Sequence, residues 1–182
     1  MYILLLCILI IFILYNLLSF KNISDLSHYV YDASKHKIIG PKNEIIDNLW
    51  IGDHYSSIDK DFFKENNIKT VINCTKNLDF IDLHVNKYRL PINDDRSDES
   101  NKGMIEYFDK YYNIIDNELS KGNGVLVHCH AGCQRSAALI ALYLMKKNNI
   151  NFNEAKKIIR SKRFFAFFPS VNFKPIFDNL DI

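Results

Sequence analysis

The sequence lacks several features that would point to other classes of protein. Its 182 residues hold 23 Lys and Arg against 21 Asp and Glu, and a net charge of +2 is too small to indicate nucleic-acid binding. No internal repeat or low-complexity tract is present. The four cysteines fit neither a disulfide framework nor the spacing of a zinc site. We therefore expect no nucleic-acid partner and no metal site.

A long apolar run occupies the N-terminus. Residues 2–18 are almost entirely Ile, Leu, Phe and Tyr, and Asn16 is the only strongly polar side chain among them. This length is at the short end of what spans a bilayer. A cleaved signal peptide is the alternative, but no Lys or Arg precedes the run and no small-residue cleavage site follows it. We predict an uncleaved transmembrane anchor over residues 1–20.

The charges after the anchor predict its orientation. Four lysines follow the apolar run between positions 21 and 42, and none precedes it. Because basic residues favour the cytosolic side, we expect a single-pass membrane protein whose C-terminal domain faces the cytosol. The polar residues 21–43 are predicted to form a linker. Residues 44–182 then have the length of one ordinary folded domain.

Strand and helix patterns alternate through this domain. Short apolar or β-branched segments predict strands at 48–52, which we expect at a sheet edge, and at 69–74, 87–92 and 124–127. Helical patterns occupy 59–66, 105–119, 137–145, 153–160 and 171–180. Either Asn151 or Asn153 is expected to cap the fourth helix. The alternation predicts an α/β fold, with a mainly parallel central sheet flanked by helices on both faces.

The predicted helix over 105–119 is amphipathic. Apolar side chains recur at spacings of three and four residues, which predicts that they form one face against the core. They are Ile105, Phe108, Tyr112, Ile115 and Leu119.

The most informative segment, residues 128–136, lies between the last predicted strand and an apolar helix. It separates Cys129 from Arg135 by five residues in a loop that turns at a helix N-terminus. Free N–H groups and the helix dipole attract anions there, and they lower the pKa of a nearby cysteine. The guanidinium of an arginine matches two oxygens of a phosphate. The pattern therefore predicts phosphoryl transfer to the sulfur of Cys129.

In the form His-Cys-x-Ala-Gly-x-x-Arg-Ser, this loop resembles the signature of the dual-specificity phosphatases, within the cysteine-based protein tyrosine phosphatase superfamily. The resemblance extends to Asn48–Asp53, Ile68–Asn73 and the segment 155–173, so it covers most of residues 44–182. It implies the fold of that family and a shallow pocket that accepts phosphotyrosine, phosphoserine and phosphothreonine in protein substrates. It implies no cofactor.

The resemblance also implies a role for each signature residue. Cys129 is expected to attack phosphorus, Arg135 to hold its equatorial oxygens, and Ser136 to stabilise the departing thiolate. His128 is expected to orient the loop rather than to act as a base. The phosphate is expected to bind the backbone amides of His130, Ala131, Gly132, Cys133, Gln134 and Arg135. The side chains of His130 and Gln134 are expected either to touch substrate or to face solvent.

The leaving oxygen also needs a proton, which a positioned carboxylic acid supplies. Leu90–Asp95 resembles the Pro-x-x-Asp acid loop of the family, and that alignment selects Asp94. Asp95 remains an alternative, and Asp98 is a weaker one. The rest of this acidic cluster is expected to be a solvated turn.

Three further features have two interpretations each. Cys74 is expected to be a buried core residue, with a reversible disulfide to Cys129 as the alternative. The basic residues of 156–163 are expected to be a solvated helix face, or else a site for acidic substrates or anionic lipid. The phenylalanine-rich segment 164–168 is expected in the core, with a contact surface beside the pocket as the alternative.

Three functions compete on this evidence. The leading one is a membrane-anchored dual-specificity protein phosphatase that acts on phosphorylated proteins. The second is a phosphoinositide or RNA 5′-phosphate phosphatase with the same chemistry, although the loop lacks the lysines that phosphoinositide-selective relatives carry. The third is a pseudophosphatase that binds phosphoprotein without turnover. The presence of Cys129, Arg135 and Asp94 gives no support to a loss of activity.

Overall fold

The computed structural model describes residues 40–178. The predicted transmembrane anchor over 1–20, and all but the last few residues of the predicted linker, lie outside the described residues. Within residues 40–178, no helix is both long enough and apolar enough to cross a membrane.

The described part of the chain forms five strands and six α-helices. The strands are β1 (Lys42–Ile46), β2 (Leu49–Gly52), β3 (Ile68–Asn73), β4 (Asn86–Arg89) and β5 (Gly124–His128). The helices are α1 (Lys60–Glu65), α2 (Asp98–Glu106), α3 (Phe108–Ser120), α4 (Arg135–Asn148), α5 (Phe152–Lys162) and α6 (Lys174–Asp178). A short 3₁₀ turn, Ser56–Ile58, follows β2.

The strands form one sheet in the order β1-β2-β5-β3-β4. Strand β1 is antiparallel to β2, and the other neighbours are parallel, which confirms the predicted α/β class with a mainly parallel sheet. The prediction that residues 48–52 form an edge strand is wrong, because β1 pairs along the outer side of β2. Only Ile45 is buried in β1, so its apolar pattern is too weak to reveal a strand. Strand β1 begins at Lys42, inside the predicted linker.

Strand β5 is buried on both faces of the sheet. Val125 and Val127 belong to the larger core cluster, which also holds buried residues of α2 to α6. Leu126 points to the opposite face, where it joins Phe62 and Phe63 of α1 in a second cluster. Because both faces are covered, every side chain of β5 is apolar until His128, at the carboxyl edge of the sheet.

The predicted helix over 105–119 is two helices that meet at Tyr107. Met104 is fully buried in the core. Ile105, which the sequence pattern places there, is 38% exposed. Phe108 and Ile115 face the core as expected. The predicted face of α3 is therefore confirmed in part, because Tyr112 and Leu119 are only partly buried and the neighbouring Tyr111 is buried instead.

The ends of α4 and α5 follow from their local sequence. Helix α4 ends at Asn148, and its C-cap Asn149 has a left-handed backbone (φ 53°), a conformation that asparagine often adopts after a helix. The cap of α5 is Asn151 rather than Asn153. Its side chain accepts a hydrogen bond from the N–H of Glu154, and the Glu154 carboxylate accepts one from the N–H of Asn151.

The phenylalanine-rich segment after α5 is only partly core. Phe167 is buried and its N–H donates to the carbonyl of Cys133 (2.7 Å), whereas Phe164 and Phe168 are 62% and 56% exposed. The chain turns at Phe167 (φ 63°), so the flanking rings lie outside. The expectation of a core segment is therefore wrong for Phe164 and Phe168. The described part of the last helix, α6, begins at Lys174, later than the predicted start at 171.

The bend at Tyr107 gives a test with two matched substitutions. Ile115→Ala removes a fully buried side chain from the core and should lower the free energy of unfolding by about 2–5 kcal/mol. Ile105→Ala, in the half-exposed position before the bend, should cost less than about 1 kcal/mol. Urea unfolding followed by the fluorescence of Trp50, the single tryptophan, measures both. Equal losses would mean that residues 105–119 share one buried face after all.

Candidate active site

The signature loop joins β5 to α4 at the carboxyl edge of the sheet, where ligands of parallel sheets bind. The N–H of Cys129 donates to the carbonyl of Gly52 at the end of β2 (3.4 Å). Gly132 has a left-handed backbone (φ 64°), and a Cβ there would lie 2.5 Å from the carbonyl oxygen of Gly52. The loop can therefore close against β2 only with glycine at this position.

The loop wraps around the sulfur of Cys129. This side chain is 1% exposed and lies at the base of the loop. The N–H of Gly132 donates to Sγ at 3.2 Å, and the hydroxyl of Ser136 lies 3.4 Å from it. Both groups can stabilise a negative charge on the sulfur.

The environment of Cys129 favours the thiolate. Burial alone would raise the pKa of this thiol, but the positive charge of Arg135 and the hydrogen bond from Ser136 outweigh it. The pKa of Cys129 is therefore held below that of an ordinary cysteine. A thiolate is the form in which cysteine is a nucleophile.

Cys74 behaves in the opposite way. It is fully buried, and burial together with the neighbouring Cys129 raises its pKa well above the ordinary value. None of Cys74, Cys129 and Cys133 forms a disulfide in the structure. Cys74 is therefore a protonated core residue here, as the first of its two interpretations expected.

The side chain of Arg135 contacts the predicted acid loop. Its Nη1 donates to the carbonyl of Ile92 (3.4 Å), and its Nε lies 3.7 Å from Oδ2 of Asp94. The Asp94 carboxylate is thus the member of the acidic cluster that reaches the arginine of the signature.

Asp95 and Asp98 lie in different surroundings. Oδ1 of Asp95 accepts hydrogen bonds from the N–H and hydroxyl of Ser97 and from the hydroxyl of Ser100. Together these hydrogen bonds hold the pKa of Asp95 far below its usual range, so the carboxylate stays ionised. The hydrogen bond from the Ser97 N–H makes the largest contribution. Asp98 is exposed in the first turn of α2. Asp95 shapes the loop, and a carboxylate that keeps no proton is a poor acid.

Arg163 binds the signature loop through its buried side chain. It was expected in a solvated basic face, and that expectation is wrong, because its side chain is 1% exposed. Its Nε donates to the carbonyl of Gly132 (2.6 Å), and its Nη2 donates to that of Ala131 (3.2 Å). Its Nη1 donates to Oδ1 of Asn43 in β1 (2.8 Å). No spacing in the sequence distinguishes Arg163 from its exposed basic neighbours.

His128 and Gln134 are buried beside the loop. Burial lowers the pKa of His128 to about 4, so its imidazole is neutral at pH 7. The side chain of Gln134 donates to the carbonyls of Phe168 (3.1 Å) and Ser170 (2.7 Å). The side chain of Gln134 therefore neither faces solvent nor offers its amide group to a substrate, whereas His130 is exposed on the loop.

Within residues 40–178, no group of three or more His, Cys, Asp or Glu side chains is arranged to hold a metal ion. The groups that the structure brings together are a buried thiol, a guanidinium, a hydroxyl and a carboxylate. These groups suffice for nucleophilic attack on a phosphate ester with protonation of the leaving group.

Comparisons with known proteins agree with this chemistry. The family model described as "Dual specificity phosphatase, catalytic domain" matches residues 49–177. Dual specificity protein phosphatase 1B of Arabidopsis thaliana is 35% identical over 147 residues, which cover 76% of this chain and 83% of the plant protein. Human dual specificity protein phosphatase 6 is 32% identical over 123 residues, or 66% of this chain, which spans 31% of that longer protein.

The fold is shared with solved structures as well. The crystal structure of human DUSP28 superposes with a TM-score of 0.68 at 19% identity, over 76% of this chain and 90% of the human one. The family match extends from β2 to α6 and includes the whole signature loop. The chain therefore belongs to the dual-specificity phosphatase catalytic-domain family, in the cysteine-based protein tyrosine phosphatase superfamily, and is a dual-specificity protein phosphatase, a phosphoric monoester hydrolase.

Proposed function

We propose that the enzyme hydrolyses phosphotyrosine and phosphoserine or phosphothreonine in proteins through a cysteinyl-phosphate intermediate. The observation that carries this proposal is the surroundings of the Cys129 sulfur. The sulfur accepts a hydrogen bond from the Gly132 N–H and lies beside the Ser136 hydroxyl. The charge of Arg135 favours its thiolate form. A stabilised thiolate at a helix N-terminus is arranged to attack an anion that the same loop binds.

In the first step, the Cys129 thiolate attacks phosphorus as the bond from phosphorus to the ester oxygen breaks. Arg135 and the amides of residues 130–135 hold the equatorial oxygens of the phosphoryl group. Asp94 transfers its proton to the departing alkoxide or phenoxide. The contact between Arg135 and Asp94 supports this assignment, because it places the carboxyl beside the group that binds phosphate.

In the second step, Asp94 is the base. It removes a proton from a water molecule, whose oxygen attacks the cysteinyl phosphate and displaces the thiolate as inorganic phosphate forms. The Ser136 hydroxyl, 3.4 Å from Sγ, stabilises the sulfur as it leaves. His128 is neutral and takes no proton in either step.

Protein substrates are favoured over lipid or RNA 5′-phosphate. The exposed side chain that the loop offers is His130, and the loop carries no lysine for a second phosphate. The side chain of Gln134 is already bound within the protein. The pseudophosphatase alternative lacks support, because Cys129, Arg135 and Asp94 are present and adjacent.

Steady-state hydrolysis under reducing conditions tests the proposal. We expect turnover of both a phosphotyrosine and a phosphothreonine peptide, and little turnover of a phosphoinositide. Asp94→Ala should lower kcat on the phosphothreonine peptide by about 10²–10⁴-fold, since the leaving oxygen loses its proton donor. Asp95→Ala is the matched control. It should loosen the start of α2 and leave most of the rate intact.

Cys129→Ser should abolish hydrolysis while the protein still binds a phosphopeptide, because the amides and Arg135 remain. Residual turnover near the wild-type rate in this variant would exclude the cysteinyl-phosphate mechanism. Turnover confined to the phosphoinositide would move the enzyme to the lipid class. Phosphopeptide binding without turnover in the wild type would leave the pseudophosphatase interpretation.

We also propose that residues 1–20 anchor the chain in a membrane and that the phosphatase domain faces the cytosol. The apolar run over residues 2–18, the lysines that follow it and the need of a catalytic thiolate for a reducing compartment support this proposal.

Alkaline extraction of membranes tests the anchor. The full chain should stay in the membrane pellet, and a chain without residues 2–20 should not, because no other predicted segment would hold it there. In sealed vesicles with their cytosolic face outside, added protease should digest the phosphatase domain. Release of the full chain into the supernatant would contradict the anchor, and a protected domain would contradict its orientation.

A further inference from the structure

We propose that Asn172, in the segment between α5 and α6, is a positioning residue for the general acid. Its side-chain amide holds Asp94 in place relative to the signature loop. The inference rests on the proposed function, because Asn172 can position the acid only if Asp94 is that acid.

The two oxygens of the Asp94 carboxylate have different partners. Nδ2 of Asn172 donates to Oδ1 at 2.7 Å, whereas Nε of Arg135 lies 3.7 Å from Oδ2. A bound phosphate would compete for the Arg135 guanidinium, but it would leave the Asn172 hydrogen bond intact. The bond to Oδ1 is therefore the one that can hold the carboxyl in place while Oδ2 carries the proton to the leaving oxygen.

The orientation of the Asn172 amide is imposed by its neighbours. Nε of Arg96 donates to Oδ1 of Asn172 at 2.9 Å. Arginine can only donate, so the amide oxygen must face Arg96, and this leaves the NH₂ group to face Oδ1 of Asp94. Arg96 also donates to the hydroxyl of Ser170 through Nη2 (2.6 Å), which fixes the guanidinium over this segment.

The backbone of the same segment is bound to the signature loop. The Gln134 side chain donates to the carbonyls of Phe168 and Ser170, and its Oε1 accepts a hydrogen bond from the N–H of Asn172 (3.1 Å). Gln134 directly precedes Arg135. Residues 168–172 therefore connect the two loops, with Gln134 on the nucleophile side and Asn172 on the acid side.

This connection predicts an effect that depends on the leaving group. Asp94 lies in an exposed loop, and without Asn172 its carboxyl loses the partner that holds Oδ1. The Asp94 carboxyl would then be in position to donate its proton to the leaving oxygen for less of the time. An alkoxide leaving group needs that proton, whereas the weakly basic p-nitrophenolate leaves without it. A residue that merely supported the fold would affect both substrates alike.

The test compares the full chain with Asn172→Ala and with Asn172→Asp, which keeps the size of the side chain but loses the NH₂ donor. We expect kcat/KM, which covers the steps up to departure of the leaving group, to fall by about ten-fold on a phosphothreonine peptide in both variants. On p-nitrophenyl phosphate kcat/KM should change by less than about two-fold, because the nucleophile and the phosphate site are intact and this leaving group needs no proton. Asn113→Ala, an exposed asparagine in α3, is the matched control and should change neither substrate.

The Asp94→Ala background separates this inference from the proposal on which it rests. Adding Asn172→Ala to Asp94→Ala should cause no further loss of kcat/KM on the phosphothreonine peptide. An equal loss on both substrates, or a further loss in the double variant, would overturn the positioning role. A selective loss in Asp94→Ala with no effect of Asn172→Ala would overturn the inference alone. No selective loss in Asp94→Ala would overturn both.

Discussion

A negative charge on a buried sulfur is the constraint on which the rest of the structure depends. The side chain of Cys129 is 1% exposed, and burial by itself disfavours a thiolate. The charge of Arg135, the N–H of Gly132 and the hydroxyl of Ser136 must together offset that cost. The same groups favour an anionic substrate, so a site that stabilises its nucleophile is also prepared to bind phosphate.

Contacts from other parts of the fold hold the signature loop, and with it the groups that stabilise the thiolate. Arg163 binds the carbonyls of Ala131 and Gly132, and its own position is fixed by Asn43 of β1. At Gly132 the carbonyl oxygen accepts from the buried guanidinium while the N–H donates to the sulfur of Cys129. Strand β1 and the C-terminal end of α5 thus contribute to the chemistry although neither contains a reacting group.

Local patterns predicted much of this architecture, and contacts between distant segments account for the rest. The strand, loop and helix around Cys129 were predictable because an apolar strand, an anion-binding turn and an apolar helix are adjacent in sequence. Strand β1 was missed because backbone pairing at a sheet edge needs only one buried side chain, Ile45. The buried state of Arg163 and the contacts of Gln134 depend on residues more than thirty positions away, which no local pattern encodes.

The most direct test of the buried thiolate is the pH dependence of Cys129 alkylation by iodoacetamide, followed by mass spectrometry of the peptide that contains it. Because the pKa is lowered, the thiolate should persist as pH falls, and the alkylation rate should have its inflection below that of an ordinary cysteine. Arg135→Met should move this inflection to higher pH, since the offsetting charge is lost. An inflection at the ordinary value, unmoved by Arg135→Met, would contradict the account.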